Sequence, residues 1–259
     1  MVNYWSFENT LIDVVGNEFI EIKTNGELTT APFHALRFSH GYGSLSTGHY
    51  FKNNEFTIML WVTLSSYVQH QTILDFGNGP HLDNIILQFH ETTGRLRFFF
   101  TDESGILRWH VTTDQIPIGI RTHVAATYKH QEVKIYFDNI LKLSWPLEKP
   151  ITNKIRKSNL IGRNNWGNYL FDGILDELKI FDKALAALEI SIEKNTLLES
   201  IDFELLYVMN KKHSFTSGLV NYWPMAGSLR DIVAGKDIVL KENGILKKSG
   251  NLIIKKTSQ

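Results

Sequence analysis

Between residues 16 and 175, short apolar stretches rich in Val, Ile, Thr, Tyr, Phe and Trp give way to turn residues every eight to twelve positions. That rhythm predicts an antiparallel β-sandwich or barrel. The segment EFTIMLWVTL (55–64) is apolar on both faces, which predicts a central strand covered from two sides. THVAATYKHQEVKIYFDN (122–139) predicts a hairpin, with Val133, Ile135 and Phe137 on one face and Lys134 and Tyr136 on the other. Such alternation fixes the strand register, because a slip of one residue would turn every side chain to the wrong face. Three or four further strands are predicted within 72–111, separated by loops that carry Gly77, Gly79, Gly94 and Gly105.

The pattern changes after FDGILDELKIFDK, where KALAALEISIEKNTLLESIDFELL (183–206) predicts a helix of Ala, Leu and Glu capped by Asp182. VMNKKHSFTSG then reads as a linker. One β domain therefore spans 1–192 and a helical connector 193–217. Beyond it the opening of the chain returns: VNYWSFENTLIDVVGN (2–17) is echoed by VNYWPMAGSLRDIVAGK (220–236), and Val2, Asn3, Tyr4, Trp5, Leu11, Asp13 and Val15 all recur 218 residues later. One inserted residue on, Gly16 meets Gly235. The 218–259 stretch reads as the incomplete start of a second domain of the same kind, being too short to bury a comparable core. The alternative is a C-terminal extension packed on the sandwich.

Charge narrows the partners. The 259 residues carry 27 Lys plus Arg against 27 Asp plus Glu, a balance that disfavours electrostatic binding of nucleic acid or of an anionic membrane. No apolar run reaches the length of a membrane span, and MVNYWSFENT lacks the regions of a signal peptide. The expectation is an intracellular protein or an export signal lying upstream. There is no cysteine and no Asn-x-Ser/Thr acceptor, so neither a disulfide framework nor an N-glycan is predicted.

Several blocks in order, ALRFSHGYGSLST, FTIMLWV, THVAATYKHQEVKIYFDN and NLIGRNNWGNYLFDGILDELKIFDKAL with a closing LEI, resemble the laminin-G-like jelly rolls of the concanavalin A-like superfamily across about 2–192. The resemblance implies an all-β fold of two curved antiparallel sheets of six or seven strands each, with the YWSF strand beside GILDELKIF. YFDNIL stands where a Tyr-Val-Asn-Gly turn is commoner, which predicts a looser hairpin there. It also implies a non-catalytic binding module that recognises a glycan or a protein surface through rim loops, one unit of an extracellular repeat protein. A glycan-cleaving hydrolase or lyase of the same superfamily, and a purely structural spacer, are the alternatives.

No catalytic residues are predicted. Superfamily glucanases converge two carboxyls from alternate positions of one strand. Here Asp176 and Glu177 are adjacent, and regular alternation would send them to opposite faces. There is no Gly-x-Ser-x-Gly elbow, and the ten histidines show no zinc-ligand spacing. His123, in a core strand, reads as a hydrogen-bonded interior residue.

Asp176 does share a face with Ile174, Leu178 and Ile180, and a half-buried charge needs a partner. Asp13 recurs as Asp231, and the resemblance places its loop next to Asp176. It implies a structural Ca²⁺ at this corner, held by Asp13, the main chain or side chain of Asn17, and Asp176, since calcium takes about six to eight oxygens. Equally open is an Asx-turn at Asp13 with Asp176 bound to amides. Trp5 and Trp61 read as core, whereas Trp109, Trp145 and Trp166 lie among polar residues near loops. Exposed indoles stack on sugar rings while neighbouring polar groups bind hydroxyls. The loops GNGPHLDN (77–84) and GRNNWGNY (162–169) supply such groups and are expected on the same rim, so the ligand-binding candidates are Asp83, Asn84, Trp109, Arg163, Asn165 and Trp166. For each, packing is the competing role.

Overall fold

The β-branched and aromatic runs form strands where the alternation predicts them. The computed structural model describes residues 1–30, 34–102, 104–167 and 169–195, and beyond these only the backbone of Ile245–Leu246 and Leu252–Ile253. The chain divides into two units, Met1–Lys194 and Asn195–Gln259. Most of the expected connector and the expected second copy (218–259) therefore lie outside the described residues.

In the first unit the strands are β1 (Asn3–Trp5), β2 (Ile20–Thr29), β3 (Ala35–Leu45), β4 (Glu55–Leu64), β5 (Thr72–Gly77), β6 (Ile85–Phe89), β7 (Arg95–Thr101), β8 (Leu107–Gln115), β9 (Thr122–Lys129), β10 (Glu132–Phe137), β11 (Ile140–Pro146), β12 (Ser158–Ile161) and β13 (Phe171–Phe181). They join in one antiparallel ladder, β11-β10-β9-β4-β13-β3-β12-β5-β6-β7-β8, with β1 on β13 and β2 on β3. The N-terminal strand does lie beside the last one, Trp5 opposite Leu178. Rather than two separate sheets, the ladder doubles over at β3, which pairs with β13 through Leu36–Gly41 and with β12 through Gly43–Leu45. Gly41 sits at this corner because a Cβ there would lie 2.4 Å from the Asn25 carbonyl oxygen. The two ends of the ladder meet, Thr113 of β8 donating to the Lys142 carbonyl of β11 at 3.3 Å.

Inside lies a continuous core that includes Trp5, Phe38, Phe56, Phe76, Phe89 and Phe98, all at most 1% exposed. Each such side chain contributes on the order of 2 to 3 kcal/mol by leaving water. β4 is buried on both faces, as its unbroken apolar run requires: the outward Met59, with Ala125 and Phe181, is covered by Leu185 and Ile190.

Ile190 belongs to α1 (Ala187–Lys194). This helix begins five residues after Asp182 because 183–185 are held extended against the start of β4, where Thr57 Oγ1 donates to the Lys183 carbonyl and accepts from the Leu185 amide, both at 2.9 Å. Glu189 caps instead, its carboxylate accepting from the Ala186 amide at 2.8 Å. The hairpin expected to be loose is tight: Phe137 pairs directly with Ile140 across Asp138 and Asn139, at φ 47° and 70°. Two positive φ values give a primed turn whose twist matches the strands, and Asp and Asn tolerate that region without glycine. Among the described residues no helix is long and apolar enough to cross a membrane.

Candidate functional site

At one end of the sandwich, the β5–β6 loop, the β7–β8 turn, the β9–β10 turn and the segment 150–154 enclose an open cleft of about 720 Å³. Two buried charged side chains hold its walls. Asp75, on β5 and fully buried, accepts from Asn84 Nδ2 at 3.0 Å and from the amide and Nδ2 of Asn165 at 2.8 and 2.9 Å. It thereby ties loop 77–84 to loop 162–169. Burial pushes its carboxyl up to about 6, and those donors limit the rise.

Arg156, 1% exposed, sits beneath the other wall and donates to three backbone carbonyls: Asp83 at 2.8 Å, Lys154 at 3.1 Å and Thr152 at 3.0 Å. Burial lowers its pKa to about 10, opposed by the fields of Asp83 and Asp75, so it remains a cation at neutral pH. On the rim, His81 stacks on Trp166 with centroids 4.8 Å apart and planes at 14°. Four lining residues, His81, Asp83, His130 and Gln131, have φ between 49° and 59°. Backbone of this kind costs about 1 kcal/mol or more per non-glycine residue, and it is held only where the surroundings dictate it.

The six sequence candidates separate. Asp83 faces the cleft, its carboxylate accepting from Asn78 Nδ2 at 2.9 Å. Asn84 and Asn165 are committed inward to Asp75, and Asn84 is fully buried, so these two position loops rather than face solvent. Trp166 stands behind His81. Arg163 turns away, its Nε donating to the Gly167 carbonyl at 3.0 Å and its guanidinium lying 4.9 Å from the centre of the Tyr42 ring. Trp109 is 47% exposed on the outer face of β8, apart from the cleft and beside Arg97 and His90. Trp145 packs on Phe100 and His110, and Trp61 lies on the outer face against Arg121, 4.0 Å from its ring centre, rather than in the core.

Asp75 and Arg156 escaped the sequence reading. An Asp inside the apolar TILDFG carried the same signal as Asp176; a lone Arg in a loop carried none.

At the corner expected to hold calcium, Asp13 is 1% exposed and its oxygens accept from Asn3 Nδ2 (2.5 Å), the Tyr4 amide (2.7 Å) and the Val15 amide (2.9 Å). Gly16 closes the turn, since a Cβ there would stand 2.4 Å from Asp13 Oδ2. Asn17 has φ 59° and gives its amide to the Asp13 carbonyl. Asp176 binds Arg121 Nη2 at 2.7 Å. N–H groups take both Asp13 oxygens and the Arg121 guanidinium takes Oδ2 of Asp176, so a Ca²⁺ held by Asp13, Asn17 and Asp176 would compete with these donors, Asp176 Oδ1 alone being unpartnered. Among the described residues no cluster of three His, Cys, Asp or Glu side chains gathers for a metal.

Regular alternation fails just after Asp176. A bulge lets the ladder step from Asp176–Trp61 to Lys179–Met59, and Glu177 takes φ 53°. Its carboxylate joins Lys179 at 3.4 Å and the Tyr4 hydroxyl at 2.7 Å on the outer face instead of pointing into the core. Burial raises both carboxyls, that of Asp176 to about 6. Neither is more than 6% exposed, and each is held by its own cationic partner.

Solved structures share this architecture. Domain 4 of AbnA, a GH43 extracellular arabinanase from Geobacillus stearothermophilus in complex with arabinotriose, aligns at 20% identity with a TM-score of 0.61, covering 74% of this chain and 97% of that one. The binding domain of Paraclostridial Mosquitocidal Protein 1 aligns at 16% identity and TM-score 0.58 over 77% of this chain and 52% of its own. The binding domain of botulinum neurotoxin serotype D gives 17% identity and 0.57 over 74% and 49%. The chain thus spans about half the length of either toxin domain. No curated protein sequence matches it. Residues 38–191 match the laminin G-like family model described as the concanavalin A-like lectin/glucanases superfamily, and the chain belongs to that superfamily.

Proposed function

We propose that the first unit is a non-catalytic recognition module that takes a glycan chain in the rim cleft. The observation that carries this reading is a cleft of about 720 Å³ whose loops are fastened from below by Asp75 and Arg156. Ligand sites commonly run from about 300 to 1,000 Å³, and a wall fixed before binding spares the ordering cost of closing it. The His81–Trp166 stack offers a flat aromatic face for a sugar ring, with the Asp83 carboxylate to meet hydroxyls. The arabinotriose seen with the arabinanase domain supports a sugar ligand, and the extracellular origin of that enzyme supports an extracellular setting.

The carboxyl groups around the cleft support binding rather than cleavage. A general acid needs a raised pKa and access to the scissile oxygen. Asp75 has the first but is sealed behind Asn84 and Asn165. At Asp102 burial is outweighed by the Ile106 amide, Arg108 and the Ser104 amide, which hold the carboxyl below its usual value.

Calorimetric titration of the full chain with neutral arabinan, galactan and glucan oligosaccharides tests this. Binding of one series, weakened about tenfold or more in His81→Ala, is expected, a loss of about 1.4 kcal/mol. Unchanged affinity in that variant would remove the cleft from the account, release of shortened products would make the domain an enzyme, and no binding to any glycan would favour a spacer.

A further inference from the structure

On the outer face of the β5–β8 end of the ladder, Arg97 of β7 stands opposite Gln88 of β6 and is 9% exposed. Nη2 donates to Gln88 Oε1 at 2.5 Å and to His70 Nδ1 at 3.3 Å, and Nη1 donates to His90 Nδ1 at 3.4 Å. Arginine has no acceptor, so both Nδ1 atoms must be unprotonated lone pairs. The Glu91 amide, which also donates to His70 Nδ1 at 3.1 Å, requires the same. The ring hydrogen of each then lies on Nε2, pointing away from the guanidinium, and His70 also hydrogen-bonds the Phe89 backbone. Arg97 retains two N–H groups of its own, one of them the buried and unpartnered Nε.

With Nε sealed from solvent and His70 bonded to the Phe89 backbone, the cluster leaves one Arg97 Nη1–H and the His90 Nε2–H free, and no acceptor. Its positive charge is uncompensated at contact range: among the described residues no carboxylate forms an ion pair with Arg97, and Glu91 acts on it only through space. Burial works against a lone cation, and a cation kept there needs an explanation. Beside it Trp109 offers a platform, 47% exposed, with its ring 5.2 Å from the guanidinium carbon and 6.0 Å from the His90 ring at 25°.

We propose that this face is a second, anion-selective subsite that takes an acidic sugar residue, its ring against Trp109 and its oxyanion on the donors of Arg97 and His90. A carboxylate or a sulfate on the sugar supplies the same chemistry. The inference rests on the glycan reading of the domain but not on the rim cleft.

The test titrates the full chain with oligogalacturonate, with its carboxyl-reduced neutral form, and with a sulfated galactan oligosaccharide. The oligogalacturonate, the sulfated sugar or both are expected to bind, with at least about tenfold loss for the neutral form and weakening as salt rises. His90→Phe keeps the ring and removes the donor, Trp109→Ala removes the platform, and both lie at the surface. Each is expected to cost about tenfold in affinity for the acidic sugar, with the melting temperature of Trp109→Ala unchanged. Equal affinity for the neutral form, or acidic binding untouched by both variants, overturns the proposal. Neutral sugars bound only through His81, with acidic ones ignored, would overturn it while leaving the cleft reading intact. No binding to any sugar would sink both.

Discussion

Replacing Asp13 by Ala would leave Asn3 Nδ2 and the amides of Tyr4 and Val15 facing a methyl group. Each buried N–H left unsatisfied costs about 1 to 3 kcal/mol, part of which water recovers at the exposed Val15. Urea denaturation of Asp13→Ala is expected to show a loss of about 2 to 4 kcal/mol, and calcium or a chelator should leave the wild-type curve where it was. A chelator-sensitive midpoint would restore the metal reading. The sequence singled out Asp13 correctly and left its role open between turn and ligand, because deciding needed the identity of its partners. Donors at Asn3 and Tyr4 come from a strand that reaches Asp13 only after folding. The repeat gains a physical reading from the same contacts. Asn3, Tyr4, Asp13 and Gly16, which interlock here, are residues that reappear as Asn221, Tyr222, Asp231 and Gly235.

Strand positions followed from apolar alternation, since the period of two is a local property of the chain. Three departures were not local: the corner in β3, the bulge at Glu177 and the delayed start of α1. Each shows only in contacts with a neighbouring strand: Gly41 against Asn25, β13 slipping on β4 between Trp61 and Met59, and Thr57 holding 183–185. The β9–β10 turn is a further case, because His130 and Gln131 occupy positions at φ 49° and 57° that Asn-Gly would fill with less strain. Substituting Asn-Gly there is expected to raise the unfolding free energy by about 1 kcal/mol, read from the urea midpoint at constant slope. Because both residues line the cleft, the same variant should bind a cleft ligand more weakly. A stability gain with undiminished affinity would show that the native pair serves no ligand.

For the whole molecule, buried ionisable groups set the pH response. Asp75 and Asp176 are raised to about 6 in the folded state, so between about pH 4 and 6 the native form holds two protons that the unfolded chain has lost. His123 is displaced the other way: burial, then Lys194, Lys179 and Arg121, lower it to about 3, so across the same window the unfolded chain holds one proton the native form lacks. Among these three groups two against one makes stability fall by about 1.4 kcal/mol per unit as pH rises from 4 to 6; the raised Glu177 and Glu193 carboxyls act in the same direction and the lowered His70 against it. A melting temperature that climbed across that window would contradict these burial assignments. Overall topology was legible because several sequence blocks stand in a fixed order. The cleft was legible only in part: loops 77–84 and 162–169 were expected to share a rim and do meet at Asp75. Which of their side chains face outward depended on Asp75 and Arg156, each remote in sequence from a residue it restrains.

Arg156 hydrogen-bonds its loops through main-chain oxygen alone, so that part of its grip is blind to what those residues are. Thr152 and Lys154 could each be exchanged for another residue and the loop would still be pulled to the same depth, whereas Asp83 also contributes a charge that favours the cation. A support of that type separates the contour of a receptor surface from its chemistry, which lets one framework be reprogrammed for new targets without being redesigned.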